Sequence, residues 1–397
     1  MKEAQMTIPH LFRCPISLDL FEDPVTLCTG QTYDRSSIEK WLAAGNLTCP
    51  VTMQKLHDPS IVPNHTLRHL INQWLQLGTQ FDPGYSSAID SFAALKHNLE
   101  SDKTTIQNKL QTLEEIRALS DEYCSSRKSC FLRLGFLPLL LELVFGRVQD
   151  QLLKDSLDFI ELALSCSIKL LSLGNLEPLN MLKEESKLAS LLHLFEQGTF
   201  MIKISICHLI EALASPETKE VCFIIGNTQQ LLQQIVLLVY QNSEASNAGI
   251  KALSALCSSQ CNRENLVRAG AIEGIITYIS SCVMQGKTLT LMAMTTVEKL
   301  LELDCGKEAL VNNANGVDVL VKMVFRVSDQ ECSDSAVGSL LIVCCDSCHV
   351  REEAIGAGVL TQLLLLLQSQ CSTRTKTKAR MLLKLLKSKW VEDPKQV

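Results

Sequence analysis

A turn motif recurring at a near-constant interval constrains this chain more than any other feature. The segments Leu134-Gly135-Phe136-Leu137-Pro138-Leu139-Leu140, Ala269-Gly270-Ala271-Ile272-Glu273-Gly274-Ile275 and Ala357-Gly358-Val359-Leu360-Thr361-Gln362-Leu363 each place apolar residues two and five positions after a glycine. Weaker copies end at Leu231 and Leu320. The last apolar position thus falls at 140, 231, 275, 320 and 363, at intervals of 91, 44, 45 and 43 residues. The first interval is two periods, and Lys187-Leu188-Ala189-Ser190-Leu191-Leu192 supplies a degenerate copy within it. Glycine lets the backbone turn left-handed or bend tightly between helices. Asn315, which stands there in the Leu320 copy, is the residue best able to replace it.

Units of roughly 40–47 residues belong to HEAT and armadillo helical arrays. One unit cannot bury its apolar face alone, so neighbours stack into a rod with a curved surface suited to extended partners. With 397 residues and 46% hydrophobic content, the chain can build a large core and more than one domain. No apolar run approaches the roughly 18 residues of a membrane span, and Met1-Lys2-Glu3-Ala4-Gln5 lacks the basic-then-apolar order of a secretory signal. The 17 cysteines are odd in number and sit in leucine-rich segments, which suits buried thiols in a reducing compartment better than disulfides. These features place the chain in the cytoplasm and leave the nucleus open. A formal net charge of -6 gives no reason to expect nucleic acid or an anionic membrane as the main partner.

Residues before about Leu77 follow a different grammar, with short apolar runs punctuated by Pro, Gly, Asp and Thr. The organisation expected is a small α+β module at 7–78, a linker at 79–88 around Pro83-Gly84, a helical spacer or degenerate first repeat at 89–130, and repeats at 131–389. Within the module, Val25-Thr26-Leu27-Cys28 and Gln31-Thr32-Tyr33 flank a Thr-Gly turn and read as a hairpin. Asp34 then caps a helix with Ile38, Trp41 and Leu42 on its apolar face, and Asn64 caps a second helix through Leu67, Leu70, Ile71 and Trp74.

The segments Phe12-Arg13-Cys14-Pro15-Ile16-Ser17, Asp23-Pro24-Val25-Thr26, Thr29-Gly30-Gln31-Thr32-Tyr33-Asp34-Arg35, Ile38-Glu39-Lys40-Trp41-Leu42, Thr48-Cys49-Pro50-Val51-Thr52 and Pro63-Asn64-His65-Thr66-Leu67-Arg68 follow one another in a specific order and spacing. Over about Ile8 to Leu77 the chain resembles the U-box of the plant U-box/armadillo ubiquitin ligases, a family that commonly carries C-terminal armadillo repeats. The resemblance implies a mainly α protein: a RING-like, zinc-free U-box followed by an α-helical armadillo-type solenoid. It also implies a shallow apolar groove for a ubiquitin-conjugating enzyme (E2). Ile16 would be the exposed anchor, Trp41 the aromatic floor and Pro50 the rim, with Phe12 and Val25 as neighbours or supports.

Cysteine spacing agrees with the absence of a metal or other cofactor. A zinc RING needs eight ligands in pairs, but Ser17 stands three places after Cys14, and Cys28 and Cys49 have no Cys or His at ligand spacing. Hydrogen bonds and charge pairs among Cys14, Ser17, Asp19, Glu22, Asp34, Arg35, Thr48 and Thr52 are expected to pin the loops instead. Cys14, Cys28 and Cys49 lack a neighbouring His base for covalent relay, and the resemblance implies that ubiquitin passes directly from the E2 thioester to a lysine of a protein substrate held on the repeats. Met53 occupies the position where related ligases often carry a cationic or amide bridge to E2 and ubiquitin, and a thioether has no hydrogen to donate. The rival reading is a non-catalytic armadillo scaffold with an inactive U-box, and pairing of two U-boxes stays open.

Three other signals point elsewhere. Cys345-Asp346-Ser347-Cys348-His349 matches a haem-attachment pattern but lies at a repeat junction. His65 and His69, four apart, lack further ligands for a metal. The basic segment from Lys376 to Lys389 reads as a capping helix with one solvated face, so membrane association is not expected.

Overall fold

The computed structural model describes residues 9–79, 83–121, 131–146, 154–172, 174, 176–241, 243–285, 289–326 and 332–387, and these divide into two compact units that part at Ala94. The first unit runs through β1 (Pro24–Thr26), β2 (Thr32–Asp34), α1 (Arg35–Ala43), β3 (Val62–Pro63) and α2 (His65–Thr79). Its sheet has the order β2-β1-β3, antiparallel throughout, with Val25 paired to Tyr33 on one side and Pro63 on the other. Gly30, at φ +79°, turns the hairpin, and the Leu27 amide donates to the Gln31 carbonyl at 3.0 Å. Val25, Tyr33 and Ile38 are fully buried and form the centre of a small core with Phe21, Leu27 and Ile71.

The second helix begins as expected, since Asn64 Oδ1 accepts the Leu67 amide at 3.0 Å. Asn64 Nδ2 also donates to the hydroxyls of Thr26 and Thr32 at 3.3 Å each, tying the cap to the sheet. Leu70, assigned above to the apolar face, is 47% exposed, because Leu67 and Ile71 are the residues that pack on the core. Trp74's side chain lies outside the described residues.

The expected linker at 79–88 needs correction, because Pro83 opens a helix, Pro83–Glu100. A proline at the first helical position forfeits only an amide that has no partner there, so Pro83-Gly84 starts an element instead of interrupting one. The next helix, Ile106–Asp121, packs on Lys154–Leu171 and buries Leu113 and Ile116 within the second unit.

That unit is built from triplets of helices, a first, a middle and a third that is the long one in most repeats, as in Arg263–Arg268, Ala271–Gln285 and Thr290–Leu300, then Asp304–Asn312, Gly316–Val324 and Cys332–Asp346, then Cys348–Gly356, Val359–Gln368 and Thr373–Lys387. The degenerate copy at 187–192 lies in a middle helix too, Glu185–Gln197, with Leu191 buried. Gly135, Gly270 and Gly358 enter their middle helices at φ +69°, +85° and +88°, the left-handed region costly to any side chain. Asn315 departs from expectation. Its φ is -108°, and the close approach is made by Gly316, where a Cβ would lie 2.4 Å from the Leu310 carbonyl oxygen.

The long helices stack in order: Ile106–Asp121, Lys154–Leu171, Phe200–Ala212, Glu244–Cys257, Thr290–Leu300, Cys332–Asp346 and Thr373–Lys387. Most described cysteines are buried within this unit and the first one. Polar ties cross between repeats, including Lys187 with Glu142 and Arg263 with Glu302. Asn262, fully buried, donates to the Cys222 carbonyl at 3.0 Å in space that Gly226 leaves open.

Candidate functional site

Two loops of the first unit share one local structure. In Cys14-Pro15-Ile16-Ser17-Leu18-Asp19 the Cys14 amide donates to the Asp19 carbonyl at 2.8 Å and the Leu18 amide to the Cys14 carbonyl at 2.8 Å. In Cys49-Pro50-Val51-Thr52-Met53-Gln54 the Cys49 amide donates to the Gln54 carbonyl at 2.8 Å and the Met53 amide to the Cys49 carbonyl at 2.9 Å. The hydroxyls of Ser17 and Thr52 accept the amides of Asp19 and Gln54 at 3.3 and 3.4 Å. Bridges between Arg13 and Leu20 and between Thr48 and Lys55 close the two loops. Leu18 and Met53 adopt φ values of 63° and 59°, a left-handed backbone costing roughly 1–2 kcal/mol per residue without glycine. Both side chains are exposed, at 68% and 70%.

Sulfur pins each loop to neighbouring residues of β2. Cys14 Sγ accepts the Asp34 amide at 3.3 Å. Cys49 Sγ meets the Tyr33 hydroxyl at 2.9 Å and accepts from Thr29 Oγ1 at 3.3 Å, and the Val51 amide donates to the same Tyr33 oxygen at 3.2 Å. Burial raises the Cys49 thiol, but hydrogen bonds from Thr29, Thr52 and Tyr33 outweigh it and bring the group down to about 6. Burial also opposes ionisation of Cys14, where the amides of Asp34, Ser17 and Ile16 prevail and leave it lowered. Tyr33 is held above its usual range by burial and by its bond to Cys49, so it stays protonated and can donate.

Asp34 stands at the N-cap of α1, but its carboxylate serves loop one. Oδ1 accepts the Glu22 and Asp23 amides at 2.8 Å each, and Oδ2 accepts Ser36 Oγ at 3.0 Å. Burial alone would raise this carboxyl, and the Asp23 and Glu22 amides reverse the direction. Arg35 Nε donates to Asp23 Oδ2 at 2.6 Å, and Arg68 approaches the other oxygen at 3.4 Å.

The expected polar network is therefore only partly the observed one. Cys14, Asp34 and Arg35 act through their side chains as anticipated, and Ser17 and Thr52 do so within their own loops. Glu22, Asp19 and Thr48 contribute backbone groups: the Glu22 amide, the Asp19 carbonyl and the Thr48 carbonyl, which accepts Trp41 Nε1 at 2.8 Å. Ser17, Asp19 and Glu22 are exposed, so the buried centre is sulfur, Tyr33 and Asp34. Tyr33, Cys49, Thr29 and Asp23 were absent from the sequence candidates. The signal for Cys49 was present, since its loop repeats the Cys-Pro-aliphatic-hydroxyl order of Cys14.

Of the surface candidates, Ile16 is 37% exposed at the tip of loop one, while Trp41, Pro50 and Phe12 are half-buried. Trp41 and Phe12 pack against the core. Val25 is fully buried between β2 and β3 and can only support the surface from beneath, so of the two places expected for it, neighbour or support, direct contact is corrected. Leu18, Val51 and Met53 are exposed apolar side chains on the same two loops. Among the described residues, no group of three or more His, Cys, Asp or Glu could hold a metal ion.

The second unit has a separate groove of about 930 Å³ across its first long helices. Glu114, Arg117, Asp158, Lys169, His208 and Glu244 line it together with Leu110, Leu162 and Met201. Farther along, Lys378 Nζ meets Glu298 Oε1 at 3.0 Å and Asp334 Oδ2 at 2.9 Å. This pair occupies the space over Gly338, where a Cβ would lie 2.0 Å from Glu298 Oε1.

Two protein-family models match the chain: the U-box domain over residues 8–79 and the plant U-box protein ARM repeat region over residues 92–395. U-box domain-containing protein 26 of Arabidopsis thaliana is 33% identical over 401 residues, covering 97% of this chain and 93% of that protein. E3 ubiquitin-protein ligase PUB23 of the same plant is 29% identical over 412 residues, with 99% of this chain and 96% of that protein covered. E3 ubiquitin-protein ligase PUB22, also from Arabidopsis thaliana, is 28% identical over 429 residues, covering 99% and 97%.

Proposed function

Because the chain belongs to the plant U-box proteins with an ARM repeat region, we propose that it is an E3 ubiquitin-protein ligase whose two twinned loops receive a ubiquitin-loaded E2. The observation that carries this reading is the pair of loops held by sulfur and Tyr33 against adjacent residues of one strand, with Ile16, Leu18, Val51 and Met53 facing solvent. Apolar side chains on rigid loops lose little freedom on docking, which suits them as anchors for a partner. Ile16 is the central contact, Pro50 stiffens the opposite loop, and Trp41 supports it through the Thr48 carbonyl.

The reaction needs no nucleophile from this chain. A substrate lysine amine attacks the thioester carbonyl, an isopeptide bond forms, and the E2 thiol leaves. The ligase lowers the barrier by holding thioester and amine in a near-attack arrangement. Cys14 and Cys49 are fully buried and engaged as hydrogen-bond acceptors, which favours direct transfer over a covalent relay. The groove around Asp158, Glu161 and His208 is the surface assigned to substrate choice.

The test is ubiquitination in vitro with a panel of E2 enzymes, with and without a strong chelator. Ubiquitin chains that form equally in both conditions support the reading. A folded protein that discharges no E2 in the panel leaves the scaffold function in its place.

A further inference from the structure

The last described repeat exposes a face that is covered in the four inner repeats ending at Leu140, Leu231, Ile275 and Leu320. The residue after each marker position is buried in Leu141 at 0%, Leu232 at 0%, Ile276 at 1% and Val321 at 1%, yet Leu364 is 54% exposed. Among the described residues no helix follows Thr373–Lys387, so Leu364 marks the surface on which a further helix would pack. The final long helix shows the same register. Ala293, Ala336 and Ala379 are equivalent and fully buried. The next residue is Met294 or Val337 in the inner repeats, both fully buried, and Arg380, exposed, in the last. Three places before the alanine, Thr290 and Ser333 give way to Lys376, and eight places after it, Leu301 and Cys344 give way to Lys387.

Capping a solenoid requires polarity but not one sign of charge. Here the sign is uniform, since no Asp or Glu occurs between Glu353 and Glu392 in a chain of net charge -6. Lys378 is spent inward on Glu298 and Asp334, and Arg374 lies 3.6 Å from Asp334. Among the described residues, Lys376, Arg380, Lys384 and Lys387 have no ion-pair partner. They fall at positions i, i+4, i+8 and i+11, which is one stripe of a helix.

The geometry points to a docking site for an acidic amphipathic helix of a partner protein on the end face formed by Val359–Gln368 and Thr373–Lys387, continuing the stack in place of another repeat. Its apolar side covers Leu364 and the half-buried Leu360 and Leu383, and its carboxylates meet Lys376, Arg380 and Lys387. A helix fits better than a lipid surface because the inner counterparts of these positions are covered by packed helices, and Leu360 and Leu383 are half-buried between their neighbours. This site lies in the second unit and is independent of ubiquitin transfer in the first.

The probe is a fluorescein-labelled synthetic helix about five turns long, with leucines on one face and glutamates on the other, and a control with lysine for every glutamate. The full chain should raise the anisotropy of the acidic helix and leave the lysine control unchanged. Lys376→Glu with Arg380→Glu should weaken binding at least about tenfold, and Leu364→Ser should weaken it as well, each in a chain that still unfolds in one cooperative transition because none of the three side chains belongs to the buried core. Equal binding of both peptides, no binding of the acidic one, or an unaltered charge-reversed variant overturns the proposal. Charge-dependent sedimentation with phosphatidylserine vesicles and no peptide binding would reassign the face to lipid. Much tighter peptide binding by a chain ending at Lys387 would make the chain's own last residues the occupant.

Discussion

Removing one oxygen atom from Tyr33 tests how loop two is held. The Tyr33→Phe side chain keeps its shape in a fully buried site, so no cavity forms, but both bonds to the hydroxyl disappear. Val51 loses the acceptor of its amide at 3.2 Å, and Cys49 loses its shortest partner at 2.9 Å. Each net hydrogen bond contributes about 0.5–1.5 kcal/mol, which gives roughly 1–3 kcal/mol for the pair. The loss is local, because the Cys49 and Met53 backbone bonds remain, so it should appear as opening of loop two and not as unfolding of the sheet. Hydrogen exchange in the full chain reads this directly. Protection of the Val51 amide should fall by about 5- to 150-fold, the factor corresponding to that energy, while the strand amides of Val25 and Thr26 change little. Single-turnover discharge of a loaded E2 should slow in parallel. Unchanged Val51 exchange in a folded variant would refute the role given to the hydroxyl.

Cys49 adds a pH dependence. Its folded value of about 6 lies below the usual thiol value of 9.0, so its stabilisation is full above the unfolded value and is lost as pH falls through about 6. The melting temperature of the first unit should therefore rise from pH 6 to pH 9 relative to Cys49→Ser, and parallel curves would count against a stabilised thiolate. Ile16→Ala should weaken E2 binding by at least about 1–2 kcal/mol in a titration without lowering the melting temperature, and normal affinity would move the groove elsewhere. Met53→Arg adds planar donors at an exposed loop position and should accelerate discharge of a ubiquitin-loaded E2 at matched occupancy, by stabilising the closed arrangement by about 1–3 kcal/mol. An equal or slower rate means that the loop closes the complex differently. Gly270→Ala isolates backbone strain, since the new Cβ would stay 3.7 Å from its nearest neighbour, and chemical denaturation should show a loss of about 1–2 kcal/mol. No loss would mean that the turn relaxes.

Periodicity made the solenoid legible, because burial of Leu140, Ile275, Leu320 and Leu363 depends on repeat spacing that any reader of the chain can count. Turn glycines were equally readable, since a left-handed entry leaves a residue-type signature. Asn315 shows the limit: it can adopt that backbone, but the packing of Gly316 against Leu310 removed the need. The caps show another. Asn64 and Asp34 both stand before helices, yet only Asn64 caps through its side chain, because loop one offers Asp34 two amides whose proximity depends on tertiary folding. Cys14 was among the expected hydrogen-bonding residues, whereas Cys49 was missed as an acceptor, because a cysteine in a sequence without metal-ligand spacing reads as a small hydrophobe. Val25 stayed open between neighbour and support because a strand of three residues gives no alternation from which to tell the face beneath the surface from the surface itself.

The division of labour along β2 bears on how such a module can decay. Where one ion clamps two loops, loss of a single ligand can release the ion and free every segment attached to it. Here the Asp34 amide holds one loop and the Tyr33 hydroxyl the other, through separate atoms of consecutive residues. Each fastening can fail alone, and the others keep their geometry. Damage to this module is therefore graded, and a lineage can trade one fastening for another through intermediates that still fold.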